Sequence, residues 1–358
     1  MKPIIHDLET RCAGHLPPIF LLAARLRAID LAKTSIQEAE LKVKAVSLPH
    51  LFRQDAHFAL SGWNKLSFIC SLSRLLVEVE WITTSYAPKG WHNMQMSEDG
   101  VFPGPWVKDQ VETTLNLSKL EQRKFLEASL HFECHCRIFF LGQETLFKRN
   151  SGFRDLFFQA ADKSSITTND FYSITFYVFD QHWSMLKNVM AKFDYEADSL
   201  KAPGAERMGS SGSLSEPTIE RWQMYEDRFR RRTRLEMHKF IHYLLSQGSS
   251  MLLELQSMDL CEQIRFTVQT FYQVATSHHP AILMVRGIDN LRKGTVEADP
   301  WQPWEHIECQ SYRSLEIWQR GVSFWDEDRF KRLVEERDRL ERLNLVLWRA
   351  HYGYARPS

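Results

Sequence analysis

The chain has 358 residues, 44% hydrophobic and 25% charged, and its 45 Lys+Arg balance its 45 Asp+Glu. That length holds one large domain or two ordinary ones, and formal neutrality leaves no global attraction to nucleic acid or anionic lipid. The six cysteines, Cys12, Cys70, Cys134, Cys136, Cys261 and Cys309, are too sparse for the disulfide framework of a small secreted domain, so reduced thiols in the cytosol or nucleus are expected.

The first stretch, MKPIIHDLETRCAGHLPP, is broken by charge before any apolar run and does not read as a signal peptide. The apolar run after it, IFLLAARLRAIDLA, carries two arginines and is too short to span a bilayer, so no membrane insertion is expected. Residues 62–88 repeat apolar groups at three and four spacing through Trp63, Leu66, Cys70, Val77 and Trp81, which predicts a helix ending before Pro88. The alternation in LVEVEW would suit a strand, but the length of the segment favours a helix. Residues 89–116, rich in Gly, Pro and Asn, read as a long loop, and a strong helix is expected over 118–147. Residues 167–193 open on β-branched and aromatic groups, yet their length and periodicity predict a buried helix capped at Thr168 or Asn169. The Gly/Ser/Pro-rich stretch 199–217 reads as a flexible loop or linker. Helices are expected from 218 to about 245, over about 250–275, and from Asp326 onward, with 287–309 irregular. Asp326 is a candidate cap, with Glu327 and Asp328 placed well in the first turn.

The chemistry-bearing stretch is LHFECHCRIFF, residues 130–140. On a helix, Phe125, Phe132, Cys136 and Phe139 form one apolar stripe, and Leu126, Leu130, Cys134, Ile138 and Leu141 form another, which predicts burial on two faces. Cys134 and Cys136 point about 200° apart and cannot share an ion or a disulfide. His131 and His135, about 40° apart on successive turns, are the candidate metal pair, with Cys134 as a third ligand. Phe132 stands where a helical zinc hydrolase needs glutamate, so core histidines beside inert thiols are the favoured reading. Glu133 and Arg137, four apart, are expected to pair.

A second HxxxH, His238 and His242, falls opposite the stripe of Trp222, Tyr225, Phe229, Phe240 and Leu244 and reads as a solvated face. Beside it the run RFRRRTR offers Arg228, Arg230, Arg231 and Arg234 to an acidic partner, phosphate or nucleic acid. No glycine loop for phosphates, nucleophile elbow or CxxC pair occurs.

Residues 117–140, LSKLEQRKFLEASLHFECHCRIFF, set a Leu-Ser and a charged turn before an aromatic-rich helix, and GVSFWDEDRFKRL follows at 321–333. With Phe125, Phe132, Glu133, Cys136 and Phe140 in place, the first segment resembles the pattern F-x-R-A-F-x-R-F-E-x-Y-C-x-L-F of large fungal helical protein families. The second resembles their C-terminal W-D-x-x-R-L element. Some members carry an F-box, and HLPPIFLLAARLRAIDL is similar to its Leu-Pro opening, although Ile19 replaces the usual acidic residue. The downstream P-W-E element is replaced by TTNDFYSITF. The resemblance implies a fungal origin, a helical fold and a long loop held inside one body; it implies no activity.

The expectation is therefore an all-α, large irregular multi-helix bundle with a long flexible internal loop. Residues 1–198 and 218–358 form its two helical parts, joined by 199–217 and packed as one domain. The first functional reading is a protein-interaction or scaffold module without a catalytic site or cofactor, its partner surfaces the basic face around the arginine run and the charged C-terminal helix. The alternatives are a metal- or small-ligand-binding helical enzyme using His131 and His135, and phosphate or nucleic-acid binding through residues 228–234.

Overall fold

A computed structural model describes residues 18–52, 66–95, 115–142, 144–148, 150, 152–153, 156–157, 168–201, 240–276 and 318–329. The described residues form an all-α body. In chain order they give α1 (Pro18–Ala28), α2 (Ile36–Phe52), α3 (Leu66–Gln95), α4 (Lys119–Phe139), a hairpin of β1 (Phe140–Leu141) and β2 (Glu144–Thr145), and α5 (Thr168–Lys201). The helical residues 240–246, α6 (Ser249–Ser257), α7 (Leu260–Thr276) and a 3₁₀ turn at Val322–Phe324 complete it. No described helix is long and apolar enough to cross a membrane. The arginine run 228–234, His238, Trp63 and residues 287–309 lie outside the described residues, as do 202–217 of the expected linker.

Helix α4 organises the fold. Ser118 starts it with a reciprocal capping box: its hydroxyl accepts from the Glu121 N–H at 3.2 Å, and the Glu121 carboxylate accepts from the Ser118 N–H at 2.9 Å. The two stripes expected of it are both buried, against different neighbours, except that Phe139 packs with the Leu126–Ile138 stripe. Leu126, Leu130, Cys134 and Ile138 pack with α1, α2 and the first half of α3. Phe125, Ala128, Phe132 and Cys136 pack with α5, the second half of α3 and the 3₁₀ turn. A third cluster joins Met185, Leu186 and Val189 of α5 to Phe240, Ile241, Leu244 and the apolar faces of α6 and α7.

Several boundaries differ from the sequence expectation. Helix α4 ends at Phe139 rather than near Phe147, because Phe140 and Leu141 pair with Thr145 and Glu144 around Gly142, whose φ of 57° suits a turn. Helix α3 passes through Pro88 to Gln95, so 89–95 are not loop. The proline removes one N–H, but the turns on either side of it bury Tyr86, Ala87 and Met94, and this packing outweighs the lost bond. The phase of α3 also differs: Cys70 is exposed and Val77 is 50% exposed, while Leu72, Leu75, Leu76, Val79 and Ile82 face inward. Glu78 lies within that buried arc, so an all-apolar stripe pointed to the wrong face. The helix expected over 250–275 is split at Met258–Asp259. There Asp259 Oδ1 accepts from the Glu262 N–H at 2.8 Å and the Asp259 N–H donates to Glu262 Oε2 at 3.0 Å, a second capping box that starts α7.

Candidate functional site

The histidine and cysteine run lies on α4 at the middle of the body. His131 is 6% exposed and His135 1%, and both cysteines are buried. Aromatic rings surround the histidines: His131 lies 5.9 Å from Phe157, and His135 lies 5.1–6.0 Å from Phe139, Phe140, Phe157 and Phe171. Burial lowers His131 to about 4, which keeps it neutral in the core. Cys134 Sγ faces the Ile19 carbonyl and Cys136 Sγ the Leu245 carbonyl, on opposite sides of the helix, and burial pushes both thiols well above their ordinary range. Among the described residues no group of three His, Cys, Asp or Glu side chains is placed to hold a metal ion. His242, expected on a solvated face, is 7% exposed, because residues 240–246 are buried nearly all round.

Glu133 is the polar centre of the run. It pairs with Arg137 at 2.8 Å, as i,i+4 spacing suggests, but its second cation is Arg27 of α1, at 2.6 Å. Arg27 also grips Glu78 of α3 through both terminal nitrogens, one of them at 2.9 Å. Ser249, the first residue of α6, closes the network. Its N–H donates to Glu133 Oε2 at 3.0 Å, and its hydroxyl lies 2.7 Å from Glu78 Oε2 and 2.9 Å from Glu133 Oε2 while accepting from Arg27 at 3.0 Å. Four helices are thus joined through two carboxylates and two guanidinium groups. Burial alone would raise Glu133, but Arg27 and Arg137 hold it far below the usual carboxylate range. Gly248 makes the approach possible: its φ is 81°, and a Cβ there would sit 2.5 Å from Glu133 Oε2. Sequence spacing carried no sign of Arg27 or Glu78, 106 and 51 residues from their partners. The available signal was a charge at the centre of a helix apolar on two faces, which demands a buried counter-charge.

A second ionic contact sits at the start of α4. Arg329 donates to both Glu121 oxygens, at 2.6 and 2.7 Å, and to the Asn116 carbonyl at 2.5 Å. Its guanidinium also lies 5.2 Å from the Trp91 ring and 5.6 Å from the Trp325 ring. Asp326 caps the turn, accepting from the Arg329 N–H at 2.9 Å, as its sequence position suggested.

Between α3 and α4 a groove of about 260 Å³ opens. Leu76, Val79 and Leu126 form its floor with Leu115 and Leu117 of the segment leading into α4; Glu80, Thr83, Thr84, Gln122 and Arg123 form its polar edges. Val77, 50% exposed, and Leu120, 51% exposed, stand on the same two helices outside it. Arg123 pairs with Glu127 at 2.7 Å yet keeps 60% of its side chain in solvent. The sequence did not mark this surface, since it needs two helices and a lead-in from separate stretches. Compared with protein-family models, curated proteins and solved structures, the chain matches none.

Proposed function

We propose that the chain is a helical protein-interaction module, and that the groove between α3 and α4 receives apolar side chains from a helix of its partner. The groove carries this reading. Its floor is leucine and valine, its edges are short polar groups with one acid and one base, and two half-exposed aliphatic residues stand beside it. At about 260 Å³ it falls below the roughly 300–1,000 Å³ of clefts that enclose small-molecule ligands. That size suits the few anchor residues of a helix laid in a groove. Both segments that resemble the fungal families contribute nearby: Leu117, Gln122, Arg123 and Leu126 line the groove, and Arg329 holds the carbonyl of Asn116 in its lead-in. Thiols buried against carbonyls suit a reducing, cytosolic or nuclear setting.

Affinity purification from the native source with the wild-type chain and with Thr84→Arg tests it. Thr84 is exposed, so the substitution should change stability by no more than about 0.5 kcal/mol. Proteins recovered with the wild type are expected to be lost with Thr84→Arg. Recovery of the same proteins by both chains, or a defined turnover by the purified protein on a small-molecule library, would contradict the reading.

A further inference from the structure

The floor of the groove comes from two different core clusters. Leu76, Val79 and Leu126 belong to the cluster around α1 and the first half of α3, whereas Leu115 and Leu117 pack against the cluster around α5. The groove therefore opens along a seam, and its shape depends on what holds one side of the seam to the other. Leu115 and Leu117 stand in the irregular lead-in to α4, which has no backbone ladder of its own.

Residues Trp318–Arg329 hold that side. They contribute Trp318, Val322, Phe324 and Trp325 to the cluster on which the two leucines pack. Phe324 stacks on Phe125 at 4.0 Å, Trp325 lies 5.3 Å from Trp91, and Lys124 donates to the Ser323 carbonyl at 2.9 Å. Arg329 then reaches the lead-in directly. It donates to the Asn116 carbonyl, between the two leucines, and to both oxygens of Glu121. Glu121 Oε2 also accepts from the Ser118 N–H, and Glu121 Oε1 from the Asp326 N–H at 3.2 Å. One carboxylate thus ties together the lead-in, the first turn of α4 and the segment. Among the described residues, Arg329 is the only side chain outside α4 that bonds to 115–118. Glu121 is 0% exposed, so without Arg329 its charge is stranded beneath the lead-in. Relief requires the first turn to move toward water, and Leu115 and Leu117 move with it.

We propose that residues 318–329 are a latch on the groove. Seated, they hold Leu115 and Leu117 against Leu76, Val79 and Leu126, and a helix that fills the groove tightens the latch in return. The coupling is reciprocal because both equilibria act on the same lead-in. This inference rests on the reading of the groove as a helix-binding site.

A labelled alanine-based helical peptide with leucines at i, i+4 and i+7 serves as the probe, titrated onto full-length wild type, Thr84→Arg and Arg329→Ala. Thr84→Arg blocks the groove from the α3 side and leaves the latch untouched; Arg329→Ala does the reverse. Binding at least about fivefold weaker to Arg329→Ala than to wild type is expected. Equal binding to those two, with binding lost in Thr84→Arg, would overturn the latch and leave the groove reading standing. No binding to wild type, or binding to Thr84→Arg as tight as to wild type, would overturn the groove reading and the latch with it. A measurement on wild type alone decides if Arg329→Ala loses its far-UV helicity. Saturation with the peptide is expected to slow amide exchange at Asp326 and Arg329 at least about fivefold, since their N–H groups are bonded to Glu121 and to Asp326. Unchanged exchange there with the peptide bound would overturn the proposal.

Discussion

Glu133 is 0% exposed, and its charge is tolerable only because Arg27 and Arg137 meet it and Ser249 donates to it. Removing one member of such a buried pair costs about 3–5 kcal/mol, because the remaining charge is stranded. Arg27→Met is therefore predicted to lower unfolding free energy by that amount in urea titration. Adding Glu133→Gln to it should cost far less than the separate losses combined, since the two residues share one network. Titration gives a second prediction. Burial lowers His131 to about 4 and His182 to about 3, so both take up protons more readily when unfolded. Their stabilisation is full above about pH 6.5 and is lost as pH falls, at about 1.4 kcal/mol per pH unit for each. Asp180 runs the other way: burial raises it to about 6 despite Lys89 and Lys187, so stability is regained as pH falls through 6. Between pH 6 and 4 the net slope should be about that of one histidine, and Asp180→Asn should roughly double it. Urea midpoints across that range check both values. Glu133, held low, adds its own loss only below about pH 4.3.

At the scale of elements, the close approach of α4 to the start of α6 depends on Gly248. Gly248→Ala would put an L side chain at φ 81° and a methyl group 2.5 Å from Glu133 Oε2. Backbone strain and overpacking together should cost about 3 kcal/mol or more, measured as a lowered denaturation midpoint with an unchanged slope. The elements also mark where sequence reasoning worked. The two stripes of α4 were legible because their apolar residues recur at helical spacing, and each stripe found its own cluster except Phe139, which packs with the Leu126–Ile138 stripe. The helix over 168–193 was legible despite its strand-like opening, because length outweighed propensity. The course of α3 was not legible. Pro88 normally stops a helix, and packing from distant stretches, Phe125, Tyr177 and the Trp318–Trp325 segment on Tyr86 and Gly90, makes continuation favourable. Its buried face was misjudged for a related reason, since Glu78 belongs to the core through Arg27 and Ser249, both distant in sequence.

Over the whole molecule, the groove and the docked 318–329 segment share one strand of chain. Asn116 gives its carbonyl to Arg329, while Leu115 and Leu117 on either side line the groove. Holding the segment thus positions the groove. Arg329→Lys keeps the charge but loses the fork onto Glu121 and the planar contact with Trp91 and Trp325. It is predicted to destabilise by about 1–3 kcal/mol in urea titration and to speed amide exchange at 115–117. None of this was readable locally, because the ion pair spans 208 residues. The run LHFECHCRIFF was legible as a packing helix, yet its four-helix ionic junction was not. The central claim is that this run is the buried structural centre of the fold. Native-state hydrogen exchange of residues 125–138 tests it most directly: their amides should exchange only through global unfolding, with free energies matching the unfolding titration. Exchange there as fast as in the half-exposed helix α2 would contradict it.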